Sequence, residues 1–89
     1  SRQLVDQLED LILGEKVVAR LWVNGVHIKT EEFVVARKED FQNMWASMGG
    51  PVYEAQGVPV MLRFTDRNSG RVVGLCSRNL IGPKKGGTA

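Results

Sequence analysis

Arg20, Trp22, His27 and Lys29 flank an Asn24-Gly25 pair at spacings that bring them to one side of a hairpin. Asn-Gly between alternating apolar segments signals a type I′ turn, because both central residues of that turn need positive φ. A two-residue loop sets the register. Val23 is then expected opposite Val26, Leu21 opposite Ile28 and Ala19 opposite Thr30 on a core face, with Trp22 opposite His27 and Arg20 opposite Lys29 on the other. That second face holds cations, an indole and an imidazole where a solvated sheet would carry Thr, Glu and Lys. Cations that track a phosphate backbone, interleaved with flat rings on which bases stack at about 1–3 kcal/mol each, are the chemistry of single-stranded nucleic-acid binding.

Other chemistries find little support. His27 is the only histidine and Cys76 the only cysteine, too few for a typical zinc site. His27 has no orienting acid near it in the sequence, so no nucleophile–base pair is expected. The adjacent carboxylates Glu31 and Glu32 lack a second charge cluster that would give them acid–base work. No phosphate-binding glycine loop, EF-hand or dinucleotide fingerprint occurs. The expectation is a binding or assembly protein without catalytic residues, metal, cofactor or small-molecule substrate.

Charge is distributed unevenly. Over the 89 residues the net charge is +2, yet positions 1–60 hold nine acids against six bases, whereas positions 61–89 hold Arg63, Arg67, Arg71, Arg78, Lys84 and Lys85 against Asp66 alone. A basic segment on an otherwise acidic body suggests an anionic partner, and spaced arginines on a solvated surface are the plainer alternative. With one cysteine there is no internal disulfide, and a cytoplasmic setting is expected. No apolar run approaches the roughly 18 residues that cross a bilayer, and SRQLVDQLED does not resemble a signal peptide.

The elements that must position these residues follow from periodicity. Leu4, Leu8, Leu11 and Ile12 predict an amphipathic helix over Gln3–Leu13, ended by Gly14. Its leucine stripe can cover the sheet or pair with the same helix of a second protomer. Beyond Ile28 the alternation changes phase, since the apolar positions become Phe33 and Val35, so a β-bulge is expected around Thr30–Glu32. Phe41, Met44, Trp45 and Met48 predict a second helix over Lys38–Met48, stopped by Gly49-Gly50-Pro51, with Trp45 in the core. Residues 52–57 read as a connector.

Val58, Val60, Leu62 and Phe64 alternate with Pro59, Met61, Arg63 and Thr65 in the first strand of a second hairpin. Asp66-Arg67-Asn68-Ser69-Gly70 supplies its turn. The return strand, about Arg71–Ser77, contains Gly74 and a buried Cys76. From Gly82 the chain reads as a mobile basic tail, leaving residues 1–81 as a single domain.

The expected architecture is α+β, order α-β-β-α-β-β: an antiparallel four-stranded sheet from two hairpins with helices packed on one face. Its other face would offer Arg20, Trp22, His27, Lys29, Met61 and Arg63, extended by Arg67, Arg71 and Arg78. In the order of its elements, its Trp-bearing helix, its R-L-W-V-N-G-V strand and its short basic second hairpin, the stretch 15–80 resembles the small archaeal Thermo-DBP-related proteins, relatives of a single-stranded DNA-binding protein of hyperthermophiles. The resemblance implies a cleft for single-stranded DNA, and for RNA, without strong sequence preference, and assembly into dimers or tetramers. The chain departs from the larger member of that group in lacking a long C-terminal helical extension, so assembly would need the leucine stripe or a sheet edge. The competing reading is a protein-interaction or self-assembly module in which the Trp22 face is buried by a partner.

Overall fold

The computed structural model describes residues 7–8 and 14–80. Within them the fold is α+β: an antiparallel sheet with two helices on one face. The strands are β1 (Gln7–Leu8), β2 (Lys16–Val23), β3 (Val26–Val34), β4 (Val60–Asp66) and β5 (Val72–Arg78), in the spatial order β1-β5-β4-β2-β3. The helices are α1 (Glu39–Ser47) and α2 (Gly50–Ala55).

Both hairpins form where the turn residues put them. Asn24 and Gly25 take φ of 52° and 77°, the left-handed values that the tight turn requires. Between β4 and β5 the Asp66 carboxylate accepts hydrogen bonds from the Asn68 and Ser69 amides at 2.8 and 3.4 Å, and Gly70 turns the chain with φ of 77°.

The β2–β3 register corrects the sequence expectation. Val23 pairs with Val26 and Trp22 with His27, but the ladder then shifts, so that Leu21 lies opposite Lys29, Arg20 opposite Thr30 and Val17 opposite Phe33. The extra residue is Ile28, which falls before the Thr30–Glu32 stretch where the bulge was expected. The phase change was visible in the apolar pattern. Its position was not, because Lys29, Thr30, Glu31 and Glu32 contain no apolar marker of which side is inward. β3 is also an edge strand, and the bulge together with these charges blunts an otherwise open ladder.

The core lies between the sheet and α1. Val17, Ala19 and Leu21 from β2, Val60, Leu62 and Phe64 from β4, and Val73 and Cys76 from β5 meet Phe41, Trp45 and Met48. Phe33, Phe41 and Phe64 contact one another edge to face, with centroids 4.9 to 6.0 Å apart, the arrangement that the ring quadrupoles favour.

The start of α1 is held by Asp40, whose carboxylate accepts the Ala36 and Arg37 amides at 2.7 and 3.1 Å. Those two backbone donors, with a smaller contribution from the Arg37 charge, hold the Asp40 carboxyl below its ordinary value of 3.8. Gly49, at φ 96°, ends α1. The chain does not then run on as the connector expected over 52–57. Pro51 sits in the first turn of α2, where its fixed φ suits a helix and its missing N–H leaves no intrahelical bond unmade.

The N-terminal helix expected over Gln3–Leu13 is corrected at Gln7 and Leu8, which form β1 and pair with Leu75 and Gly74 of β5. An eleven-residue stretch (Gln3–Leu13 by the sequence numbering) is short for an independent helix, whereas the edge of β5 supplies backbone partners. The remainder of that helix, with Leu4, Leu11 and Ile12 of its stripe, and the tail from Gly82 lie outside the described residues. No helix among the described residues is long and apolar enough to cross a membrane.

Candidate nucleic-acid interface

Opposite the helices, the register lays out two adjacent rows of side chains. One runs Thr30, Arg20, Arg63, Leu75 across β3, β2, β4 and β5; the next runs His27, Trp22, Met61, Ser77. Successive rows stand about 6.6 Å apart, two residues of strand rise. Arg20, Trp22, His27, Met61 and Arg63 therefore share one face, as expected.

The two rows are tied together at Trp22. The His27 ring lies with its centroid 5.0 Å from that of Trp22, tilted by 44°. The Arg63 guanidinium sits over the indole with Cζ 5.8 Å from the ring centroid, within range of a cation–π attraction. His27 is itself anchored, because Nε2 is hydrogen-bonded to Thr30 Oγ1 at 2.7 Å. Thr30 reaches this face only because of the bulge at Ile28, and the simple hairpin count had put it in the core.

Arg20 and Arg63 are direct cross-strand partners. Like charges in that position repel. Both are half-buried, and neither has a carboxylate within ion-pair distance among the described residues. The indole N–H of Trp22 and the Nε–H of Arg63 are buried without an acceptor among the described residues.

The other expected residues lie elsewhere. Lys29, moved to the helix face by the bulge, donates from Nζ to the Met48 carbonyl at 3.5 Å. Arg78 is also on the helix face, opposite Val60, with Nε 3.6 Å from Glu54 of α2. Arg67, in the β4–β5 turn, pairs with Glu32 at 3.2 Å, and Glu32 also meets Lys16 at 3.7 Å. Arg71 is exposed at the end of the same turn. Among the described residues, the arginines of the C-terminal third thus do not form one positive track, because Glu32 and Glu54, distant in sequence, meet two of them. A shallow groove bordered by Phe33, Asp40 and Met44 lies between β3 and α1, away from the Trp22 face.

Comparison with known proteins returns no matching family model, no matching curated protein and no matching solved structure.

Proposed function

We propose that this chain binds single-stranded nucleic acid, DNA or RNA, with little sequence preference, through the face that carries Arg20, Trp22, His27, Met61 and Arg63. The observation that carries the reading is the pair of arginines placed opposite each other on the central strands without an acid among the described residues to balance them. A fold gains nothing from such a pair unless an anion is brought to it. Trp22 and His27 beside the pair make the face partly apolar as well as cationic, a mixture found in single-strand grooves. Duplex recognition fits less well: a groove-reading helix needs cations along one face, and α1 (Glu39–Ser47) contains none. The resemblance of the stretch 15–80 to the Thermo-DBP-related proteins points in the same direction, toward a protein that assembles as a dimer or tetramer, and the single cysteine, Cys76, suits a cytoplasmic setting.

The test is fluorescence anisotropy of labelled oligo-dT at rising salt. Binding should weaken steeply with salt, and Arg20→Ala or Trp22→Ala should reduce it about tenfold while the far-ultraviolet circular dichroism stays unchanged. Absence of binding at low salt would exclude the reading.

A second reading rests on Met61 and Leu75. These half-buried apolar side chains interrupt the rows between the polar groups, as in a protein interface. If Trp22→Ala changes the sedimentation coefficient and oligo-dT does not bind, the face is an assembly surface.

A further inference from the structure

We propose that Arg20 and Arg63 together form a cradle for one backbone phosphate, with Trp22 acting as the platform that holds the Arg63 guanidinium rather than as a surface on which a base stacks. This rests on reading the face as a nucleic-acid interface, and it specifies what that interface recognises: the phosphodiester backbone, independent of the bases.

The register supplies the first part. Directly opposed residues on one face of an antiparallel pair have Cβ atoms about 4.5–5.5 Å apart, so the two side chains leave the sheet close together. Elsewhere in the described structure, partly buried or paired cations are matched: Lys16 and Arg67 by Glu32, Arg37 by Asp40, Arg78 by Glu54, and Lys29 by the Met48 carbonyl. Arg20 and Arg63 are half-buried and have no such acceptor among the described residues. A phosphodiester has one negative charge and two non-bridging oxygens, which suit two guanidinium forks approaching from adjacent strands.

The second part comes from the surroundings of the indole. Arg63 lies over the ring at 5.8 Å, and the His27 ring leans against it at 5.0 Å with a tilt of 44°. His27 is fixed in place by Thr30. A base would have to displace Arg63 or His27 to lie flat on Trp22. Left as it is, the indole restrains the guanidinium, so less side-chain freedom is lost when the phosphate arrives.

The test compares fluorescein-labelled dT12 with a 12-mer of abasic tetrahydrofuran units on the full chain, by anisotropy between 20 and 200 mM salt. The cradle predicts dissociation constants within about threefold of each other, because a stacked base would otherwise contribute on the order of 5- to 150-fold. Arg20→Ala and Arg63→Ala should each weaken both ligands about tenfold, with circular dichroism confirming the fold. The double variant should lose less than the product of the single losses, since both groups serve one phosphate. If dT12 binds more than about threefold tighter than the abasic strand, the bases are read and the cradle is overturned while the nucleic-acid reading stands. If both ligands bind equally but the arginine variants bind as well as the wild type, the cradle is overturned because the contacts lie elsewhere. If neither ligand binds at 20 mM salt, the cradle and the proposed function fail together.

Discussion

Gly50 lies so close to the indole of Trp45 that a Cβ at this position would overlap the ring atoms Cδ2, Cε3 and Cε2. Trp45 is 1% exposed and belongs to the sheet–helix core, so the ring cannot swing away without opening that core. Gly50→Ala should therefore destabilise the protein by about 1–3 kcal/mol, the usual cost of overpacking. A lower urea midpoint with an unchanged m-value is the expected result, and an unaltered midpoint would show that the helix junction can shift.

Lys29 and Arg78 sit on the helix side of the sheet, so neither should contribute directly to oligonucleotide binding. Lys29→Ala should leave the affinity for oligo-dT within about twofold of wild type. It should lower stability by roughly 0.3–1 kcal/mol, since the ammonium sits against the C-terminal carbonyl of α1, where the helix dipole favours a cation. Arg78→Ala should behave similarly in binding. Parallel anisotropy and urea titrations separate the two effects, and a tenfold loss of binding in either variant would contradict the assignment of faces.

Asp40 links the fold to acid. Its carboxyl is held below 3.8 in the folded protein by the Ala36 and Arg37 amides, so it stabilises the fold fully above that ordinary value. The contribution fades as pH falls from about 3.8 through the lower folded value, where protonation removes the charged acceptor. Asp40→Asn should lower the melting temperature at neutral pH and show a shallower decline below pH 4. Thermal melts of both proteins from pH 2 to 7 measure this directly, and parallel curves would remove Asp40 from the account.

Ile28 is the extra residue of β3, and bulging it out lets the strand keep Phe33 inside. Deleting it closes the bulge without changing any partner further along the strand: Lys29 stays opposite Leu21, Thr30 opposite Arg20 and Phe33 opposite Val17. Phe33 keeps its edge-to-face contacts with Phe41 and Phe64. A stability within about 1 kcal/mol of wild type is therefore expected, because no core contact is lost. Urea unfolding provides the measurement, and a loss of about 3 kcal/mol or more would mean that Phe33 had left the core.

Local residue chemistry determined much of this protein. Asn24-Gly25 and Asp66–Gly70 specify their turns because few other residues tolerate those backbone angles, and the Phe41, Met44, Trp45, Met48 spacing specifies α1 and the face it buries. Alternation over 60–65 places Met61 and Arg63 opposite the core without any knowledge of the partner strand. Tertiary structure decided the rest. Four consecutive polar residues after Ile28 leave the bulge position undetermined until Phe33 packs, and that choice sends Lys29 to α1 and Thr30 to His27. The carboxylates that meet Arg67 and Arg78 come from residues 35 and 24 positions away, Glu32 and Glu54, and the partners of Gln7 and Leu8 come from the other end of the chain. Such pairings depend on which surfaces the folded chain brings together, and a one-dimensional pattern contains no term for them.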